Sequence, residues 1–169
     1  MKKIMITALL ALFLSGCDNS PPAPYGFKWG QSVEDIQKLN LDGEGCSLAT
    51  CTLENTPDNT DGITFLIFAP DAGLVQILHS EELERTDKKD VIDKFTKVTN
   101  NLKLIYGEPT AETARVDDEN NFFDCLDKIG CSDISAEYDN NGYKASVSVG
   151  IRNKDKKLAI LTNYLKPKN

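Results

Sequence analysis

The side chains of this 169-residue chain that could do chemistry are five cysteines, one histidine and an excess of acids, 26 Asp and Glu against 19 Lys and Arg. Nucleophilic catalysis needs a nucleophile beside a base. The only imidazole, His79, falls at the end of an expected strand, where it reads as a solvated or capping side chain. No Gly-x-Ser-x-Gly, His-Glu-x-x-His or glycine-rich phosphate loop occurs, so hydrolases and nucleotide-binding proteins lose their usual signatures. No catalytic residue and no cofactor is therefore expected. Glycosidase-type chemistry, which needs only two carboxylates, stays open as the enzymatic alternative because acids are plentiful. Asp58-Asn59-Thr60-Asp61-Gly62 and Asp117-Asp118-Glu119-Asn120 could in principle hold calcium. The first would need an acid at Pro57 and a bidentate Glu at Phe68, so both segments read as solvated turns and no metal site is expected.

Lys2 and Lys3 precede an apolar run, Ile4 to Leu14, too short to cross a hydrocarbon core of about 30 Å but suited to the core of an export signal. It closes on Leu14-Ser15-Gly16-Cys17, which resembles the lipobox of bacterial lipoproteins. The resemblance implies cleavage after Gly16 and lipidation of Cys17. It gives a signal peptide over 1–16, a lipidated Pro-rich tether over 17–24 and one domain over 25–169. Each buried methylene contributes about 0.8 kcal/mol, so roughly two or three acyl chains, palmitate among them, make a stable anchor where one chain is marginal. The alternative is an ordinary secretory peptide cut near Ser15-Gly16. Cysteine parity favours the lipidated reading, because removing Cys17 leaves an even set. Asp18 and Asn19 look like the retention signal of enteric lipoproteins. The expected location is the cell envelope, at the periplasmic face of the inner membrane, with the outer membrane as the alternative.

Outside the cytosol Cys46, Cys51, Cys125 and Cys131 should be oxidised, and four cysteines allow three pairings. Local bridges, Cys46 to Cys51 and Cys125 to Cys131, are preferred because Gly43, Gly45 and Gly130 permit tight turns. Long-range bridges would stabilise more, about 4 kcal/mol against about 2, so energy alone does not choose. The usual Cys-x₂-Cys spacing of a zinc site is absent.

Without Lys2 and Lys3, 17 bases face 26 acids, a net charge of −9 with His79 neutral. Such a body does not suit the phosphate backbone, and nucleic acid is excluded as a partner. Asn19 to Pro24 reads as an extended polyproline-like spacer.

Beyond it, Ser32 and Asp35 form a capping-box signature for a short helix over 33–40, with Val33, Ile36 and Leu39 on one face. Residues 62–69 and 74–78, joined by Pro70-Asp71-Ala72-Gly73, read as a hairpin. Its first strand is apolar on both faces, which predicts a central strand covered by a helix on one side and by chain or a partner on the other. Val91, Ile92, Phe95, Val98, Leu102 and Ile105 recur at threes and fours within 88–106, the main amphipathic helix, stopped by Gly107 and Pro109. Two alternating segments, 134–138 and 145–151, flank the type I′ signal Asn141-Gly142, with the serine side towards water. A last strand, Leu158 to Leu165, follows Asn153-Lys154-Asp155. The expected fold is α+β, an antiparallel sheet with one long amphipathic helix and a short N-terminal helix, and no internal repeat is visible.

The Gly-Phe-x-Trp-Gly-x-Ser opening at 26–32 and the run Leu104-Ile105-Tyr106-Gly107-Glu108-Pro109 resemble small bacterial envelope lipoproteins of unknown role. The function these readings imply is a non-catalytic, lipid-anchored module that binds another protein or an envelope component. A narrower form is an immunity or inhibitor protein that neutralises a toxin or lytic enzyme; the other class is a carboxylate-dependent cell-wall or glycan hydrolase. Asp117, Asp118 and Glu119, with Phe122 and Phe123 and the nearby Asp124 and Asp127, form an acidic and aromatic segment suited to a basic partner.

Overall fold

Alternation of apolar and polar residues dominates the chain and yields eight strands, while one long stretch of helical period supplies a layer to cover them. In the computed structural model, which describes residues 20–152 and 155–167, the strands are β1 (Gly45–Cys46), β2 (Thr50–Leu53), β3 (Ile63–Ala69), β4 (Gly73–Glu82), β5 (Ala111–Val116), β6 (Ser132–Asn140), β7 (Tyr143–Ile151) and β8 (Leu158–Leu165). The helices are α1 (Val33–Gln37), α2 (Lys88–Tyr106) and α3 (Phe122–Asp127), with a 3₁₀ turn over Glu119–Asn121. The expected signal peptide, Cys17, Asp18 and Asn19 lie outside the described residues, as do Asn153 and Lys154 of the expected turn.

All the strands form one antiparallel sheet in the order β1-β2-β3-β4-β8-β7-β6-β5. It consists of two meanders, β1–β4 and β5–β8, joined where β4 pairs with β8. A helix precedes each meander, and a disulfide lies between the first and second strand of each. The halves differ in their first connection, where the second carries the 3₁₀ turn and α3 between β5 and β6.

The hairpin turns obey local chemistry. Asn141 and Gly142 both take positive φ, 55° and 84°, as a type I′ turn requires. Gly73 has φ 62°, and a Cβ there would come 2.3 Å from the Gly30 carbonyl oxygen, so only glycine fits. Asp87 caps α2 by accepting from the Lys89 N–H, and Gly107 ends it. The stripe Val91, Phe95, Thr99, Leu102 and Tyr106 is buried against β6 and β7, and α3 adds Phe122, Cys125 and Leu126 to the same face. The core lies between these helices and Leu66, Ile77, Ile134, Ala136, Val147, Leu158 and Ile160 of the sheet.

Four expectations change. The capping box of α1 forms, with the Asp35 N–H donating to Ser32 Oγ and the Ser32 N–H to Asp35, but the helix stops at Gln37 rather than 40. Its last turn tightens into i to i−3 bonds from Leu39 and Asn40, and Asn40 adopts φ 50°, which leaves Leu39 exposed. From Pro21 onward the Pro-rich segment is docked rather than a free spacer: Pro21 is buried and its carbonyl accepts from Trp29 Nε1 at 3.1 Å. In β3 one face, Thr64, Leu66 and Phe68, is buried, while Ile63, Phe65 and Ile67 on the other are left partly open. Finally β1, β2, β5 and α3 join the expected elements, being too short or too polar to announce themselves.

Candidate functional site

His79 sits inside β4, which runs on to Glu82, and is 4% exposed; it neither caps the strand nor meets solvent, contrary to its reading from sequence. Its Nδ1 lies 2.9 Å from Thr64 Oγ1 on the neighbouring strand, and the Tyr25 ring covers it with centroids 4.4 Å apart. Nε2 is buried against Gly62, where a Cβ would come 2.9 Å from it, beside the Asp61 backbone. Burial holds the imidazole below its ordinary pKa against weaker upward pulls from Glu81, the Asp61 backbone and Asp58, so it is neutral at pH 7. Beside it Tyr25 Oη is 2.8 Å from Thr162 Oγ1 and 3.4 Å from Tyr164 Oη. Burial, and the neighbouring phenol for Tyr25, raise both tyrosines, which stay protonated.

These groups line a cleft of about 490 Å³ between α2, β4, β8 and the N-terminal segment 22–25. Four charged side chains also line it. Glu81 is ion-paired with Lys94; Lys97 is exposed; Asp58 accepts from both Thr56 and Thr60 hydroxyls and the Thr60 N–H. Burial pushes the Asp58 carboxyl up, but these hydrogen bonds outweigh it and hold it below the usual range. The Thr64 and His79 contact has the geometry of a nucleophile and base, yet Thr64 is 0% exposed, so no substrate reaches it. A glycosidase acid must be a carboxyl kept protonated, and Asp58 is held the other way.

The segment singled out for partner binding is compensated from within. Asp117 pairs with Arg115 at 2.6 Å, Glu119 with Lys88, and Asp118 accepts from Asn121. Phe122 is 5% exposed and belongs to the core, while Arg85 lies over the half-buried Phe123 and pairs with Asp127 at 2.7 Å. Among the described residues no group of three or more His, Cys, Asp or Glu is arranged to hold a metal, and no helix is long and apolar enough to cross a membrane. Disulfides join Cys46 to Cys51 and Cys125 to Cys131.

What composition could not reveal is the face of the sheet opposite the helices. Phe65, Leu78 and Leu161, neighbours across β3, β4 and β8, form an apolar strip there, with Phe65 38% exposed. Ser146 and Ser148 of β7 border it, and on β6 the acids Asp133, Glu137 and Asp139 project on the same side, all exposed. A shallow depression of about 210 Å³ between Phe65, Leu78, Leu161 and the serines is closed at one end by Arg152, which donates to Ser80 Oγ and pairs with Asp155. The signal was present in the two apolar faces of β3 and the alternation of β6, but only strand order brings the two sets together. Comparison with protein-family models, with curated proteins and with solved structures gives no match for this chain.

Proposed function

We propose that this protein is a lipid-anchored module at the periplasmic face of the inner membrane, held by acyl chains on Cys17, that binds a basic protein on the open face of its sheet and does no catalysis. The observation that carries the reading is the uncovered strip of Phe65, Leu78 and Leu161 beside the acidic row Asp133, Glu137 and Asp139. Apolar anchors next to exposed acids have the anatomy of a protein interface, in which the acids steer a basic partner and the strip holds it. The depression of about 210 Å³ suits one inserted side chain as the anchor point.

The anchor follows from the lipobox resemblance at Leu14-Ser15-Gly16-Cys17. Because Pro21 is already docked on the domain, only residues 17–20 separate the lipid from the body, at most about 14 Å of chain. The partner therefore meets the module near the bilayer.

The test has two parts. Mass spectrometry of the mature N-terminal peptide should find Cys17 carrying diacylglycerol, and a bare cysteine overturns the anchor. A Phe65→Asp/Leu161→Asp double variant should keep its fold by circular dichroism and lose a basic partner that wild-type protein retains from membranes at low salt and releases at high salt. Undiminished capture by the double variant overturns the interface.

A further inference from the structure

We propose that the end of the sheet from which the N-terminal segment leaves is a bilayer-contacting surface, with Leu48 on one side and Leu104 and Ile105 on the other seated among the lipid headgroups. The inference rests on the anchor at Cys17 proposed above and adds to it the orientation that the domain takes on the membrane.

Strand direction defines the two ends. The connections 47–49, 70–72 and 141–142, which join β1 to β2, β3 to β4 and β6 to β7, all lie at one end. α2 finishes there, where Asn140 Nδ2 donates to the Ile105 carbonyl at 3.2 Å. The N-terminal segment leaves there too. Trp29, whose Nε1 donates to the Pro21 carbonyl, has its ring 6.3 Å from that of Tyr143 at the start of β7, and Pro22 and Ile105 line the same cleft. With only residues 17–20 as a spacer, the acyl chains draw this end of the sheet to the bilayer.

Large apolar side chains face outward at this end. Leu48 is 100% exposed, Leu104 86% and Ile105 44%, so three of the six exposed large hydrophobics among the described residues flank the point where the chain leaves for its lipid. Scattered singly, such residues need no explanation; gathered around the anchor, they lie within reach of the headgroup and acyl boundary. Leu48 is also held outward. The disulfide from Cys46 to Cys51 closes its loop, and Ser47 Oγ accepts from the Thr50 N–H at 3.3 Å.

Charge agrees with this orientation. Anionic lipids repel an acidic body, so the end that approaches them must be poor in acids. Residues 20–30 contain Lys28 and no acid, and the three connections together contain one charged residue, Asp71. Glu108, just past α2, is paired with Lys103. At the other end of the sheet, residues 117–127 contain five acids and no base. Seated this way, the strands run away from the bilayer, and the open face stands beside it, where a partner can reach it.

The test uses the full lipidated chain in vesicles of phosphatidylethanolamine and phosphatidylglycerol, with and without brominated acyl chains, which quench tryptophan on contact. Leu48→Trp, Leu104→Trp and Ile129→Trp each add one indole to Trp29; Ile129, 107% exposed between Cys125 and Cys131, lies at the far end. Relative to wild type, the added emission at 48 and at 104 should shift to the blue and be quenched by brominated lipid, while that at 129 stays unquenched. An added indole left unquenched at 48 or at 104, or one quenched equally at 129, overturns the orientation. Flotation separates this outcome from failure of the anchor. Protein that floats with the vesicles without quenching keeps the anchor and overturns this inference, whereas protein that does not float overturns the anchor and this inference with it.

Discussion

Along β4, Leu74, Ile77 and His79 face the helices, while Gln76, Leu78 and Ser80 face the open side. The covered side is closed by α2, α3 and the docked N-terminal segment, and Leu66, Leu74 and Ile77 on it are completely buried. The open side keeps Phe65 38% exposed, joins Gln76 to Asn163 at 2.8 Å, and gathers exposed acids on β6. The same strands thus carry two different duties by alternation. One face holds the fold together, and the other is left partly uncovered, the surface proposed above to bind a partner. A stability measurement and a binding measurement should therefore separate neighbouring residues.

The largest expected effect tests that separation. Ile77→Ala opens a cavity in a fully buried site and should cost about 2–4 kcal/mol in denaturant unfolding, whereas Leu78→Ala, one residue along, should cost under about 1 kcal/mol and instead weaken partner binding. Equal losses of stability at the two positions would break the contrast. Next, replacing Cys125 and Cys131 by serine should cost about 2 kcal/mol, the chain-entropy value for so short a loop, read by unfolding with and without reductant.

Acidification gives a smaller effect confined to the covered face. The His79 pKa is held below its unfolded value of 6.5 by burial, so the unfolded chain takes up a proton before the native one. The associated stability is present above 6.5 and is lost as pH falls towards the folded pKa. Wild type should lose more Tm than His79→Phe over that window, with the difference gone at higher pH. The Asp155 carboxyl, held to about 2 first by its hydrogen bond from Arg152, titrates well below this window and does not confuse it. Smallest of all, Lys89→Ala removes an exposed pair with Asp93 and should leave Tm unchanged within error.

Much of this architecture is legible from local pattern. The threes and fours of α2, the Asn141-Gly142 turn and the apolar run that opens β8 each encode an element within its own residues, and Leu158–Leu165 forms the expected strand. β5 is not legible, because Ala111–Val116 is an edge strand that buries almost nothing and carries Glu112 and Arg115. The setting of His79 is hidden for another reason: Tyr25, Gly62 and Thr162, which surround it, come from three distant parts of the chain. Asp133, Glu137 and Asp139 look like an ordinary solvent side in sequence. Only the sheet order sets them beside Phe65, Leu78 and Leu161, while the conspicuous acids Asp117 and Glu119 are paired with Arg115 and Lys88.

The most direct test of the central claim places a photo-crosslinking residue at Leu161 on the open face and, in a second variant, at Leu104, which is 86% exposed on the outer side of α2. Irradiation of intact cells should trap a basic protein through position 161 and not through 104. Trapping of that protein through 104 alone, of an acidic protein through 161, or of nothing through 161 would contradict the assignment of the open face.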